Sequence, residues 1–448
     1  SRGHDVVIYT GSHDPRRAFP ETVDGRIVVV QRGAFVPRSL CGVGHVACAS
    51  LRNLATAASL AWRERHVADL VVCDQISTCV PLLRLAGLAV MFYVHFPDKL
   101  LASRGSRLRR LYRAPFDLLE ELTTGAAHVL LVNSNFTARA FRDAFPRLRR
   151  RTPAVLYPSV AIDDRDGDTK NTKAPPKRHA DKNTVYAVSL NRFERKKRID
   201  VAIKALVADD DSKNASRRRA SCRLVVAGGY DARLAENVEH LAELRALARD
   251  LGLEARVSFE TSISDERRVE LLANAACLLY TPPDEHFGIV PLEAMALGCP
   301  VVACNSGGPL ETVKDGETGF LVDPTPKAFG DAVDRVLDLA AGSKNPLGAA
   351  AKAHVRAHFS REVFAERLDR VCTGLVARRA AARTRRAASG SGPPLGAAGW
   401  AVIVLGSIFA FFLGACLVLY VVGDDDEEDS AFAGDDDGKK TWGDVASL

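Results

Sequence analysis

Residues 277–304 read CLLYTPPDEHFGIVPLEAMALGCPVVAC, and the architecture can be predicted outward from this stretch. Two apolar runs, Cys277–Thr281 and Pro300–Cys304, have the composition of buried strands. Between them, Pro291 suits the first turn of a helix and Gly298 suits its C-terminal cap. Strand, helix and strand in this order form the repeating unit of a parallel sheet covered by helices on both faces. The loop PPDEHFG then lies at the carboxyl end of a strand, where open α/β sheets bind ligands.

The same alternation continues over residues 184–345. Further strands are predicted at Val185–Leu190, Arg223–Ala227 and Arg256–Phe259, with helices at Ile199–Val207, Val238–Leu251, Asp265–Ala275 and Pro291–Leu297. This pattern predicts a doubly wound, Rossmann-like α/β domain. A last helical stretch, Arg361–Val376, lies in a C-terminal helical segment predicted over residues 346–380.

Residues 1–160 repeat the pattern. Predicted strands are Asp5–Thr10, Ile27–Gln31, Ala68–Cys73, Ala89–His95, Val129–Asn133 and Ala154–Tyr157, and predicted helices are Leu51–Arg65, Tyr112–Thr123 and Thr137–Phe145. We therefore expect a second Rossmann-like domain, facing the first across a cleft and joined to it by a polar linker at 161–183. A doubly wound domain usually opens with a strand and a glycine-rich turn, and we expect both to be missing from this sequence.

Composition excludes several classes of protein. The 448 residues are 47% hydrophobic and 26% charged, which is enough apolar material for two cores. The net charge is +6, and no basic stretch with interleaved aromatic residues indicates a nucleic-acid partner. The ten cysteines form no C-x-x-C pair, so we expect free thiols in a reducing compartment and no metal site.

The C-terminal residues predict a membrane anchor. Residues Leu395–Gly423 carry no charge and are long enough to span a bilayer, so we predict a transmembrane helix at 396–422, followed by an acidic tail at 423–448. The arginines that precede it are Arg378, Arg379, Arg383, Arg385 and Arg386. By the positive-inside rule, the large N-terminal part then lies in the cytosol.

The loop after Cys277–Thr281 carries two carboxylates separated by seven residues, Glu285 and Glu293. Glu285 is placed to bind a sugar hydroxyl, and Glu293, in the following helix, a ribose diol. The backbone N–H groups of Phe287, Gly288 and Ile289 stand at the helix start, where such groups bind anions such as phosphate. An E-x7-E spacing alone is common on solvated helices, but here it lies at a strand end.

The stretch EHFGIVPLEA, followed by GCPVVACNSGGPLETVKDGETGFLVDP, resembles the large family of retaining GT-B glycosyltransferases with an E-x7-E motif. With HFPD and NRFERKK it resembles more closely the mannosyltransferases of dolichol-linked oligosaccharide assembly. That resemblance implies transfer of mannose from GDP-mannose to a dolichol-diphosphate-linked oligosaccharide, in α-1,3 and then α-1,6 linkage. It further implies a retaining mechanism without metal or other cofactor, on the cytosolic face of the endoplasmic reticulum membrane. Other glycosyltransferases of the pathway are candidate partners.

The resemblance also implies roles for single residues. Arg192 and Lys197 match the basic pair that grips the nucleotide diphosphate, and the choice of Lys197 over Lys196 follows the family's spacing alone. His95 matches a catalytic-site histidine near the transferred sugar and the acceptor. Gly307 and Gly308 match a turn beside the nucleotide sugar, although a plain tight turn fits them nearly as well.

Two other functions remain open at this point. A GT-B enzyme that uses a UDP-sugar fits the same motifs, because the loops that select the donor cannot be interpreted from sequence. A membrane-tethered, inactive partner in a glycosylation complex also fits, since the expected first strand and glycine turn are missing. Whether Glu285 acts as a nucleophile or only holds sugar hydroxyls during front-face attack is equally open.

Overall fold

The computed structural model describes residues 3–15, 18–39, 45–64, 66–102, 107–161, 185–207, 219, 221–340 and 346–389. Among these, unit 1 comprises the residues up to Asn133, Thr137–Leu156 and the residues from Ala365 onward. Unit 2 comprises Ser134–Phe136 and Tyr157–Phe364.

Unit 2 is built on a six-stranded parallel sheet in the order β12-β11-β10-β7-β8-β9. Its strands are β7 (Tyr186–Leu190), β8 (Arg223–Gly228), β9 (Val257–Thr261), β10 (Cys277–Tyr280), β11 (Val301–Cys304) and β12 (Gly319–Val322). The first strand of the unit, β7, therefore lies at the centre of the sheet, as doubly wound folds require. The predicted strands are confirmed with slightly shifted ends, and β12 was not predicted.

Helices cover both faces of this sheet. They are α7 (Ile199–Lys204), α8 (Ala235–Asp250), α9 (Asp265–Asn274), α10 (Ile289–Ala296), α11 (Pro309–Thr312), α12 (Pro326–Ala340) and α13 (Pro346–His358). Two apolar clusters result, one on each side of the strands. Two successive residues of β7, Ala187 and Val188, contribute to opposite clusters because neighbouring strand side chains point to opposite faces.

Unit 1 contains two parallel sheets. Its strands are β1 (Val7–Thr10), β2 (Val28–Gln31), β3 (Val71–Asp74), β4 (Val90–Val94), β5 (Val129–Val132) and β6 (Ala154–Val155). One sheet pairs β1 with β2, and the other has the order β3-β4-β5-β6. The helices that precede β6 are α1 (Pro20–Val23), α2 (His45–Glu64), α3 (Val80–Leu85), α4 (Asp98–Leu101), α5 (Arg107–Gly125) and α6 (Asn135–Ala144).

The helix α2 packs against both sheets of unit 1. Its Ala57 and Ala61 belong to the core cluster that contains residues of β3 and β4. Its Glu64 accepts a hydrogen bond from the hydroxyl of Tyr9 in β1 at 2.8 Å, and its Thr56 donates one to the carbonyl of Arg32 at 2.8 Å. The two sheets therefore share one covering helix.

The last described helix, α14 (Arg361–Ser389), is longer than predicted. Alanine and arginine make up residues 377–388 apart from Thr384 and are among the best helix formers, so the helix continues through the basic segment. Arg379 anchors it to unit 1 by donating to the carbonyl of Gly87 at 2.9 Å.

No helix within the described residues is both long and apolar enough to cross a bilayer. The predicted transmembrane helix at 396–422 and the acidic tail at 423–448 lie outside the described residues. Residues 162–183 of the predicted linker also lie outside the described residues.

Candidate functional site

Glu285 lies on the loop after β10, next to the central strand of unit 2. Its Oε2 accepts a hydrogen bond from Nζ of Lys197 at 2.6 Å. Lys197 ends the short 3-10 turn Arg195–Lys197 that follows β7, and the Thr281 hydroxyl donates to its carbonyl at 2.8 Å. Both charged side chains are largely buried, at 13% exposed for Lys197 and 20% for Glu285. The structure thus joins two residues that the sequence predicted separately, 88 positions apart.

The surroundings of Glu285 keep its carboxyl ionised. Burial by itself raises its pKa, but the charge of Lys197 and hydrogen bonds from Lys197 and Tyr280 bring the pKa below its usual value. The neighbouring His286 is kept uncharged, because burial lowers its pKa to about 4. At neutral pH, a carboxylate therefore lies beside an uncharged imidazole, and Lys197 is the cation at Glu285.

Tyr280 was missed by the sequence analysis. It is the last residue of β10, it is buried, and its hydroxyl hydrogen-bonds Glu285. Burial and the adjacent carboxylate raise the pKa of the phenol far above its usual value, so it remains a donor. A polar side chain that ends an otherwise apolar strand, directly before the E-x7-E loop, is the signal that could have identified it.

Arg192 and Lys196 share a different carboxylate. Oε1 of Glu194 lies 3.0 Å from Nη1 of Arg192, and its Oε2 lies 3.0 Å from Nζ of Lys196. Lys196 is 66% exposed, whereas Lys197 is buried against Glu285. This geometry favours Lys197 over Lys196 as the lysine of the site, a choice that the sequence made on spacing alone.

Gly307 and Gly308 pack against the backbone of the Glu285 loop. A Cβ on Gly308 would lie 2.3 Å from Cα of Phe287, and one on Gly307, whose φ is +65°, would lie 2.5 Å from the carbonyl oxygen of Glu285. The N–H of Gly308 donates to that carbonyl at 2.7 Å. Gly308 thus lies against the protein's own backbone, and its amide is bonded to the Glu285 carbonyl. Donor binding by these glycines stays a prediction.

The helix α10 begins at Ile289, two residues before the predicted start at Pro291. Gly288, with φ of +82°, is its N-cap, Ile289 is its first residue, and Pro291 falls in the first turn. No side chain caps these first N–H groups in the part of the chain described here, so they keep their capacity for an anion. The side chain of Phe287 is buried and stacks on Tyr157 at 5.8 Å between ring centroids. Phe287 can therefore contact a donor only through its backbone.

Glu293 lies in the second turn of α10, partly buried. Its Oε1 is 3.5 Å from Nη1 of Arg268, and burial raises the pKa of its carboxyl. Its Oε2 is buried and, among the described residues, has no hydrogen-bond partner. A buried acceptor without a donor fits the predicted contact with a hydroxyl group of a ligand, which stays a prediction.

In unit 1, His95 follows β4 and pairs with Asp74, the last residue of β3. The distance between Nε2 of His95 and Oδ1 of Asp74 is 2.7 Å, with 42% and 56% of the side chains exposed. The ring of Tyr93 packs edge-on to His95 at 4.8 Å. Asp74 was not singled out from sequence, although an acid at the carboxyl end of the run VVCD marks the same sheet edge.

The described residues contain no cluster of three or more His, Cys, Asp or Glu side chains that could hold a metal ion. The groups that the site of unit 2 does offer are a buried carboxylate with its lysine, a half-exposed arginine and the uncapped start of a helix. Such a set can bind a sugar hydroxyl and an anionic diphosphate side by side.

Comparisons with known proteins agree with this chemistry. The profile for glycosyl transferases group 1 matches residues 170–354, and that for Glycosyltransferase Family 4 matches residues 1–164. The chain is 42% identical over 379 residues to the alpha-1,3/1,6-mannosyltransferase ALG2 of Dictyostelium discoideum, covering 82% of this chain and 90% of the relative. It is 42% identical over 382 residues to the protein of the same name in Homo sapiens, covering 84% and 90%.

Among solved structures, the chain is similar to sucrose-phosphate synthase from Thermosynechococcus elongatus. The TM-score is 0.63 at 20% identity, and the match covers 84% of this chain and 90% of that one. At this identity the likeness concerns the fold alone.

Proposed function

This chain belongs to the ALG2 family of α-1,3/1,6-mannosyltransferases, and from this premise we propose that it transfers mannose from GDP-mannose to a dolichol-diphosphate-linked oligosaccharide. It has a GT-B glycosyltransferase fold with parallel α/β sheets, and it is a mannosyltransferase of N-glycan precursor assembly. The donor, the lipid of the acceptor and the stereochemical course are the parts that we propose.

The observation that carries the proposal is the buried pair of Glu285 and Lys197 beside the start of α10. In our proposal, the carboxylate of Glu285 accepts hydrogen bonds from hydroxyls of the mannose. Lys197 and Arg192 neutralise the diphosphate, which takes two negative charges with it as it leaves. The uncapped N–H groups of Ile289 and Val290 contribute partial positive charge on the same side.

We propose a retaining, front-face course. The acceptor hydroxyl oxygen forms the new bond to the anomeric carbon on the face from which the diphosphate departs. The bond from that carbon to the phosphate oxygen breaks, and the departing oxygen takes up the hydroxyl proton. His95, held by Asp74, is proposed to contact the transferred sugar and the acceptor. The proposed donor-binding set is completed by Glu293, Gly307, Gly308 and the backbone of Phe287 and Gly288.

A donor panel tests this function. Purified full-length chain is incubated with a lipid-linked acceptor and either GDP-mannose, UDP-glucose or UDP-N-acetylglucosamine, and the released nucleotide and the product are identified. Release of GDP with an α-linked mannose in the product is the expected result. Release of UDP would replace the donor assignment, and no release with any donor would favour the inactive partner described above.

The membrane location is part of the same proposal. We propose that residues 396–422 anchor the chain in the endoplasmic reticulum membrane and that both units face the cytosol, since five arginines precede the apolar segment. In sealed microsomes, added protease should digest both units and spare an epitope tag placed after residue 448. Digestion of the tag with protection of the units would reverse the topology.

A further inference from the structure

The helix α4 (Asp98–Leu101) begins three residues after His95 and cannot be stable by itself. Four residues form a single turn, and the first turn of a helix costs more conformational entropy than its hydrogen bonds return. Its N-cap is Pro97, which supplies no capping side chain. Something else must therefore hold the segment that follows His95.

Glu120, from the helix α5, holds that segment. Its Oε1 accepts the backbone N–H of Asp98 at 2.7 Å, and its Oε2 accepts the N–H of Lys99 at 3.0 Å. Both carboxylate oxygens thus bind donors of the first turn of α4, in the way that an N-cap side chain would. Within α4 and α5, side-chain contacts add to this anchor: Arg113 lies 3.6 Å from Asp98 and 3.4 Å from Asp117.

The charges around Glu120 come from both helices. Asp98 faces it from α4, Lys99 contributes its backbone N–H, and Asp117 and Arg113 lie on its own helix. The ammonium of Lys99 also donates to the carbonyl of Ala144. Burial first, and then the charges of Asp98 and Asp117, raise the pKa of Glu120 to about 7, although its two backbone hydrogen bonds lower it.

We propose that Glu120 is a positioning residue for the acceptor: by fixing the first turn of α4, it holds the segment after His95 in the form that binds the acceptor. This inference rests on the function proposed above, which places the acceptor beside His95. Since Glu120 belongs to unit 1, its loss should weaken acceptor binding and leave donor binding, assigned to unit 2, unchanged.

The chain provides a matched control in the next residue. Glu121 is buried, with 3% of its side chain exposed, and it accepts the backbone N–H of Arg147 at 2.6 Å and the Arg147 guanidinium at 3.0 Å. It caps Pro146–Leu148, a turn that follows α6 and not β4. Glu120→Gln and Glu121→Gln therefore remove the same kind of contact from two different segments.

The kinetic test measures the KM for lipid-linked acceptor and for GDP-mannose in both variants. Glu120→Gln should raise the acceptor KM about tenfold with the donor KM unchanged, because the amide nitrogen cannot accept an N–H and one donor of α4 is left unpaired. Glu121→Gln should leave both KM values near those of the wild type. Equal acceptor KM values in the two variants would overturn the positioning role, whereas an inactive wild type would overturn the proposed function instead.

A pH profile separates positioning from a purely structural role. As pH falls through about 7, Glu120 takes up a proton, and the protonated oxygen can no longer accept an N–H, so one of its two backbone hydrogen bonds to α4 is lost. The acceptor KM of the wild type and of Glu121→Gln should therefore rise on the acid side of pH 7, and that of Glu120→Gln should stay flat there. Parallel profiles in all three proteins would contradict the proposal.

Hydrogen exchange provides a test that needs no variant. In the wild-type chain, protection of the Asp98 and Lys99 amides, corrected for intrinsic exchange rates, should fall as pH drops below 7. The Arg147 amide, held by Glu121, should show no such change in that range. Constant protection at Asp98 and Lys99 would remove the basis of the inference, even if Glu120→Gln failed to fold.

Discussion

Units 1 and 2 are both built from parallel strands and helices, but they bring their reactive groups to the sheet edge differently. In unit 2, the first strand, β7, lies between β8 and β10, and the loop after it carries Arg192 and Lys197. In unit 1, the described strands form two separate sheets, β1-β2 and β3-β4-β5-β6. There the reactive pair comes from the ends of β3 and β4, which carry Asp74 and His95.

The two pairs also differ in burial. Lys197 and Glu285 are mostly inaccessible to solvent and are held by Tyr280 and by a glycine-backed loop, whereas Asp74 and His95 are close to half exposed. Buried charges interact strongly because little solvent screens them, and exposed pairs contribute little. We therefore expect substitutions in the site of unit 2 to cost much more activity than comparable ones in unit 1.

The largest effect is expected for Glu285→Gln. The substitution keeps the volume but removes the charge opposite Lys197 and the carboxylate proposed to hold the sugar, so kcat should fall about 1000-fold. The measurement is mannose incorporation into lipid-linked acceptor at saturating donor. Glu254→Gln, at an exposed position of the same unit, is the control and should keep full activity. Turnover above a tenth of the wild-type value in Glu285→Gln would remove the contrast between the units.

A second large effect concerns the loop that presents Glu285. In Gly308→Ala the new methyl would lie 2.3 Å from Phe287 backbone, so the loop must move and unfolding free energy should drop by about 3 kcal/mol. Gly374→Ala is the control: its Cβ meets nothing within 4 Å, and in the helix α14 it should gain about 1 kcal/mol. Thermal unfolding of the two variants should therefore shift in opposite directions. A shift of the same sign would show that the loop yields without cost.

The sequence predicted much of this architecture because strands and helices follow from local patterns. Apolar runs that alternate with helical stretches, and Pro291 and Gly298 around a short helix, contain enough information to place Glu285 at a strand end. The partners of Glu285 were harder to predict. Lys197 meets it because β7 pairs directly with β10, and that strand order depends on the whole sheet.

Other features could not be predicted because they depend on tertiary packing. The glycines at 307 and 308 are equally compatible with a ligand turn and with backbone packing until Phe287 is placed beside them. Asp74 and His95 are 21 positions apart and pair only because β3 and β4 are neighbours. The ends of helices were also uncertain, as the extension of α14 through its arginines shows.

A smaller effect is expected in unit 1, from Asp74→Asn. The amide can still hydrogen-bond His95 but carries no charge, and an exposed interaction of this kind is worth about 1 kcal/mol, so kcat should fall about fivefold. Asp69→Asn lies just before the amino end of the same strand and serves as the control, which should be unaffected. A loss as large as that of Glu285→Gln would show that exposure does not separate the two pairs, and that unit 1 contributes to catalysis as strongly as unit 2.

The smallest change in rate, and the sharpest test of the buried site, is expected for Tyr280→Phe. At neutral pH Glu285 stays ionised through Lys197, so kcat should fall only about threefold. The hydroxyl of Tyr280 nevertheless helps to lower the pKa of Glu285, and its removal should raise that pKa. More of the carboxyl is then protonated at any acidic pH, so the acid limb of the kcat profile should move to higher pH.

Tyr186→Phe is the matched control for this shift. Tyr186 lies on the adjacent strand β7, and its hydroxyl donates to the carbonyl of Leu271 at 3.1 Å, so its removal costs a similar hydrogen bond without affecting Glu285. An acid limb that moves in Tyr280→Phe and not in Tyr186→Phe would assign that limb to Glu285. If both variants kept the wild-type profile, ionisation of Glu285 would not limit the rate in that range. The difference in burial between Glu285 and Asp74 would then not explain how the two units differ.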